Sequence, residues 1–258
     1  MNNKKGQITI FVIIAVIIIA VVVLFFLIGP GDTLINPEGR VENPNNLLSL
    51  CLKDAVKEKA QEISSKGGYI ENPFNRTFKF TDEDETYDVA FLCYTKEFYN
   101  PCVTQQPMMI SHLEDELKNA LGKKVEDCVE EIGRNYEAQG YTVDVNYKDF
   151  NVELIPDEIK LDVDVRIGLS KVETSVQEGL NANIQSKLYN NAIVAQQIVF
   201  QNAKFCNFDY FGYMMTYPEF EIDYFRTSDS IKIYTIKELN SEEWFRLAIR
   251  TCVIPQGI

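Results

Sequence analysis

The chain has 258 residues, with 25 Lys and Arg against 38 Asp and Glu, for a net charge of −13. A balance this acidic repels nucleic acid and anionic lipid headgroups, which excludes a nucleic-acid partner. A single histidine, with no Gly-rich phosphate loop and no His-Glu-x-x-His, excludes the common nucleotide and zinc-hydrolase sites. The predicted elements begin with Ile8 to Ile28, a run in which only Thr9 is polar and nothing is charged. At about 1.5 Å per residue such a helix covers about 30 Å, the thickness of a bilayer's hydrocarbon core. It exceeds the about 7–15 apolar residues of a secretory signal peptide, and Leu24-Phe25-Phe26-Leu27-Ile28 offers no small-residue cleavage site. A single transmembrane helix is expected over 8–29. Lys4 and Lys5 place residues 1–7 in the cytoplasm by the positive-inside rule, and everything after Pro30 outside. Without those two lysines the exterior portion holds 38 acidic against 23 basic residues, a net charge of −15.

Lys4-Lys5-Gly6-Gln7-Ile8-Thr9-Ile10-Phe11 resembles the class III signals of archaeal pilin-like proteins, two basic residues and a glycine before an apolar helix. That resemblance implies peptidase cleavage between Gly6 and Gln7. Subunits of that kind commonly carry a glutamate at the fifth mature position, where this chain has Phe11. A more specific likeness is to archaeal membrane-anchored surface proteins with a KKGQ-type start, a family without an established function. There a cysteine-bearing helix ends near a Gly-Gly-Tyr, as Cys51 and Gly67-Gly68-Tyr69 stand here.

Residues 30–45, with Pro37, Gly39 and Pro44 and no apolar period, read as a linker or stalk. The extracytoplasmic domain is expected over 46–258, with a sub-boundary near 140. Capped at Asn45-Asn46, a helix over 46–66 carries Leu48, Leu52, Val56, Ala60 and Ile63 on one face, and Gly67-Gly68 end it. Thr77 to Phe80 reads as a strand edge and Val89 to Tyr94 as an apolar strand. Between them Thr81 to Asp88 is acidic, without the Asp-x-Asp-x-Asp-Gly order of a calcium loop, and reads as a solvated hairpin tip. Asn75-Arg76-Thr77 is a glycosylation sequon. Ser111 and Glu114 match a capping box, opening a helix over 111–135 with Leu113, Leu117, Leu121, Val125, Cys128 and Ile132 on one face.

From Tyr141 the period becomes two. Val143 and Val145, then Val152 and Leu154, then Ile159, Leu161, Val163, Val165 and Ile167 alternate with polar residues, as antiparallel strands do. A helix is expected over 175–203, where Leu180, Ile184, Leu188, Ala192 and Ala195 recur and the polar positions are mostly Asn and Gln. Phe205 to Phe225 is dense in Phe and Tyr and reads as core between sheet and helices. Ile231 to Ile236 and Trp244 to Ile249 read as two more strands around Asn240-Ser241.

All six cysteines follow the span, so an oxidising compartment would pair them, and their spacing suits no zinc knuckle. Of fifteen pairings, Cys51–Cys128, Cys93–Cys102 and Cys206–Cys252 are expected. The first joins two apolar helix stripes, the second closes a loop turned by Asn100-Pro101, and the third ties the C-terminus to the end of the long helix. The fold class is therefore α+β: an N-terminal transmembrane helix, then a disulfide-stapled ectodomain of amphipathic helices on an antiparallel sheet built mainly from 141–167 and 218–253.

No catalytic, cofactor-binding or metal-ligating residue is assigned, and no cofactor is implied. His112 has no nucleophile motif around it, and carboxylate pairs such as Glu153/Asp157 and Asp162/Asp164 read as solvent faces of strands. The leading expectation is a single-pass cell-surface protein, not an enzyme, that is anchored in the membrane through residues 8–29. Its ectodomain would have a binding or structural role toward a protein or surface glycan. A pilin-like filament subunit and a carboxylate-dependent extracellular hydrolase are the alternatives. Protease applied to intact cells is expected to degrade the region after Pro30 and spare the Lys4-Lys5 end; the reverse pattern would refute this orientation.

Overall fold

The computed structural model describes residues 43–71, 74–80 and 86–253. Among them no helix is long and apolar enough to cross a membrane; the span expected over 8–29 lies outside the described residues. Helix α1 (Pro44–Ser65) starts earlier than expected, because Asn43, not Asn45 or Asn46, is the cap. The Asn43 side chain accepts from the Asn45 N–H at 2.9 Å, and Pro44, assigned to the stalk from sequence, takes the first helical position. Proline is suited there because the missing N–H has no intrahelical acceptor. Leu48, Leu52, Val56, Ala60 and Ile63 form the buried stripe.

A paired motif ends α1. The Gly68 N–H donates to the Ile63 carbonyl at 2.9 Å and the Gly67 N–H to that of Ser64 at 3.4 Å, a Schellman arrangement with both glycines at positive φ. The Lys66 carbonyl accepts from the Ala90 N–H at 3.0 Å, so the helix end is hydrogen-bonded to β2.

Two sheets follow. β1 (Asn75–Lys79), β2 (Thr86–Tyr94), β3 (Val103–Thr104), β7 (Phe220–Arg226), β8 (Lys232–Glu238) and β9 (Trp244–Arg250) make a six-stranded sheet in the order β1-β2-β9-β8-β7, with β3 on β2. β4 (Thr142–Ile155), β5 (Glu158–Ser170) and β6 (Thr174–Gln185) make a separate antiparallel meander. Between the sheets lie α1, α2 (Met109–Ala138) and α3 (Leu188–Phe205); the short α4 (Tyr210–Thr216) packs on β7. α1 touches β6 and β9, α2 touches β4, and α3 reaches β8 and β9 as well as β4 and β5. One continuous core fills this space.

Several expectations need correction. The 175–203 segment is not one helix: its first part is β6, and α3 begins at Leu188. Leu180 and Ile184 are four apart, but Ala182 between them is buried too, and a spacing of four satisfies a strand as well as a helix. The amides Asn181, Asn183 and Gln185 are the outward face of that strand. The sheet expected from 141–167 and 218–253 is two sheets, and β2 pairs with β9 in parallel. Both strands are buried throughout Val89–Cys93 and Phe245–Ile249, because a second apolar cluster of Val89, Phe91, Ile231, Ile233 and Ala248 covers the far face. Ser111 is no cap, since α2 already starts at Met109; Glu114 instead accepts from the Leu154 N–H of β4 at 2.9 Å.

The disulfides Cys51–Cys128, Cys93–Cys102 and Cys206–Cys252 are all formed, with Cα atoms 5.9, 5.4 and 5.3 Å apart. Cys51–Cys128 joins α1 to α2 across 77 residues of sequence, and a loop of that size contributes about 4.5 kcal/mol in the chain-entropy account.

A Cβ at Gly67 would sit 3.0 Å from the Ala90 Cβ, on a backbone at φ +80°. Gly67→Ala is therefore expected to lower unfolding stability by about 1–3 kcal/mol in denaturant titrations. Ala90→Gly in the same chain should return only the contact part of that loss.

Candidate binding cleft

A cleft of about 1190 Å3 opens between α1 and the β8–β9 turn. One wall is the second half of α1, with Lys57, Glu58, Gln61, Glu62 and Ser65. The opposite wall is the β8–β9 turn, Asn240 to Trp244, with Tyr87 of β2 beside it. Asp157, Gln185, Ser186 and Lys187 close one end. The helix contributes these residues because its apolar stripe faces the core, which leaves positions 57, 58, 61, 62 and 65 on the flank.

The closed end is rigid by construction. Lys187 Nζ lies 2.6 Å from Asp157 Oδ1 and 2.6 Å from Glu238 Oε1, and Asn190 Nδ2 donates to the same two carboxylates at 2.9 and 2.8 Å. Glu243 Oε2 accepts from Ser186 Oγ and from the Lys187 N–H, each at 2.7 Å. Glu243 thus caps the start of α3 from another part of the chain, where a carboxylate is favoured by the helix dipole. The hydrogen bonds from Lys187 and then Asn190 hold the Asp157 carboxyl below its usual range, and those to Asp157 and then Glu238 hold the Lys187 ammonium above its own. On the α1 wall Glu62 takes hydrogen bonds from Lys59 at 2.8 Å and Lys66 at 2.9 Å, which push its pKa down as well.

The aromatic corner has a different support. Tyr87 and Trp244 meet edge to face with ring centroids 5.6 Å apart. The buried Arg246 guanidinium lies 4.3 Å from the Trp244 ring centroid, 4.8 Å from that of Tyr87 and 3.8 Å from that of Phe80, and its Nε donates to Thr235 Oγ1 at 3.0 Å. Cation–π stacking of this kind fixes ring orientation as well as adding energy.

The residues considered from sequence are dispersed. Asp162 pairs with Lys160 at 2.8 Å and Asp164 with Lys148 at 3.3 Å, both on the exposed face of β5, and Glu153 also reaches Lys160. Only Asp157 of that group reaches the cleft. His112 packs at a tilt against Tyr69, with ring centroids 4.3 Å apart. The tip 81–85 lies outside the described residues, and no group of three or more His, Cys, Asp or Glu side chains among the described residues could hold a metal ion. The aromatic segment is divided: Phe208 is buried, whereas Phe205, Phe211, Met215 and Phe225 are exposed. Tyr87, Trp244, Glu58, Gln61 and Glu243 were not singled out from sequence. Trp244 carried the one usable signal, as the sole tryptophan beside a turn.

Compared with known proteins, the chain matches no family model, no curated protein and no solved structure.

The Lys187 network sets a pH window. The Asp157 contribution is present above its ordinary value of 3.8 and lost as pH falls through the lowered folded value. The Lys187 contribution is present below 10.5 and lost as pH rises through the raised folded value. Lys187→Met is expected to cost about 1–2 kcal/mol, by an amount flat between about pH 5 and about pH 9 and shrinking beyond both limits. Urea unfolding at a series of pH values measures it.

Proposed function

We propose that this is a single-pass membrane-anchored cell-envelope protein whose ectodomain binds a surface saccharide chain in the cleft between α1 and the β8–β9 turn. The observation that carries the reading is the composition of that cleft: Trp244 and Tyr87 beside the amides Gln61, Gln185 and Asn240 and the carboxylates Glu58, Glu62 and Glu242. Aromatic rings give the apolar face of a sugar a surface to stack on, and amides and carboxylates match its hydroxyls. Anchorage is supported by the uncharged run Ile8 to Ile28 after Lys4 and Lys5, and an exterior location by the pairing of six cysteines.

Binding suits the cleft better than hydrolysis. A general acid needs a carboxyl pKa raised toward neutrality, whereas Glu62 and Asp157 are both displaced downward by their lysine partners. The volume of the cleft, about 1190 Å3, also exceeds that of the usual enclosed, mostly apolar small-molecule pocket, about 300–1,000 Å3. A protein partner is the second reading, favoured by a separate row of exposed apolar side chains, Phe200, Phe205, Phe211 and Met215, along α3 and α4.

Because Trp244 is the sole tryptophan, its fluorescence reports on the cleft alone. Titrating the full-length protein in detergent with polysaccharide fragments from its own cell envelope should give a saturable change in emission. Gln61→Ala should weaken that binding about 10-fold or more, the loss of roughly one buried hydrogen bond to ligand. Unchanged emission together with no retention of the protein on immobilised fragments would overturn the saccharide reading.

A further inference from the structure

A buried amine stands apart from the cleft, where β8 faces the end of α3. Lys232 is only 8 % exposed, yet among the described residues no carboxylate pairs with it. Its Nζ donates instead to two carbonyl oxygens, the Asn202 side-chain Oδ1 at 3.1 Å and the Cys206 backbone oxygen at 2.7 Å. Asn202 is fully buried and held in place: Nδ2 donates to the Ile198 carbonyl at 2.9 Å, and its own carbonyl accepts from Thr251 Oγ1 at 3.1 Å. Two residues beyond Lys232 on the same strand face, Tyr234 is also fully buried. Its hydroxyl finds no hydrogen-bond partner, and the Asn202 side chain is a polar neighbour that acts on it.

An unpaired ammonium in such a place is costly, and the buried group shifts toward its neutral form. Burial lowers the Lys232 pKa to about 8, so roughly a tenth is free amine at pH 7 and more as pH rises, and free amine is a nucleophile. The electrophile next to it is the Asn202 side-chain amide.

We propose that Lys232 and Asn202 form an intramolecular isopeptide bond that permanently joins β8 to the end of α3. The bond formed is between Lys232 Nζ and Asn202 Cγ, and the bond broken is between Cγ and Nδ2. The amine loses one proton, the departing nitrogen gains one, and ammonia leaves; no oxidant or second reactant is needed. Tyr234, buried on the same strand face, stays protonated because burial raises its pKa, so it brings no second charge to the site. Fixing the amine beside its target replaces a second-order encounter, an advantage that reaches effective concentrations of about 10⁵ M or more in well-aligned cases. The product also removes a buried charge, so the amide relieves the desolvation cost that the free lysine carries. The cross-link would lie beside Cys206–Cys252, giving that corner one redox-sensitive and one redox-insensitive tie.

Peptide mapping of the full-length, reduced and alkylated protein tests this. The expected product is a branched peptide containing residues 202 and 232, lighter than the sum of its linear parts by one ammonia and uncut by trypsin after Lys232. Lys232→Met and Asn202→Ala should each abolish it. Recovering the linear Lys232 and Asn202 peptides unmodified from folded wild-type protein would overturn the proposal, whatever the variants do. So would an ammonia loss that maps wholly to a cyclised Gln7 or to a succinimide at another asparagine, with residues 202 and 232 in linear peptides.

Discussion

Burial of one face of α1 is the constraint on which the arrangement depends. The same five side chains, Leu48, Leu52, Val56, Ala60 and Ile63, must be covered by α2, by β6 from one sheet and by β9 from the other. A helix this polar on its remaining face cannot be stable alone in water, so its formation and the docking of both sheets are one event. Cys51–Cys128 then restricts the unfolded chain at the place where α1 and α2 meet. The glycine pair at the end of α1 lets the backbone turn closely enough for Lys66 to accept from Ala90, which connects this helix to the six-stranded sheet.

The cleft is a by-product of that geometry. Because the stripe of α1 points inward, its flank stands opposite the β8–β9 turn, and the gap is closed at one end by the β4–β5 turn and the start of α3. The charges there are satisfied internally. Lys187, Asp157, Glu238 and Asn190 form one network, and Glu243 is committed to the start of α3. What remains for a ligand is the aromatic corner and the neutral amides, together with carboxylates such as Glu58 and Glu242. The proposed saccharide ligand fits that division, since the closed end already neutralises its own lysine and acids.

Two kinds of buried cation are handled differently in the six-stranded sheet. Arg246 is enclosed by the rings of Phe80, Tyr87 and Trp244 and bonded to Thr235, an environment that accommodates a delocalised charge. Lys232, a compact ammonium, meets carbonyl oxygens and has a lowered pKa. Arginine keeps its proton under such conditions, whereas lysine yields it, and the difference makes position 232 chemically distinctive.

The sequence by itself determined the elements whose pattern has one interpretation. α1 and α2 follow from apolar residues spaced by three and four, and β4 and β5 from strict alternation. The disulfide expectation rests on two helix stripes for Cys51–Cys128, on the Asn100-Pro101 turn for Cys93–Cys102 and on the remaining two cysteines for Cys206–Cys252. The tertiary structure decided everything that depends on what lies across the fold. Positions 180, 182 and 184 suit either a helix or a strand until β5 supplies a hydrogen-bonding edge. Glu114 suits a capping box until the Leu154 N–H requires an acceptor. β2 and β9, far apart in sequence, pair in parallel only because β9 returns beside β2. The cleft is the extreme case. Its residues come from five separated stretches with no shared motif, so only the packing of α1 against both sheets could bring Gln61, Tyr87, Asp157, Lys187 and Trp244 to one place.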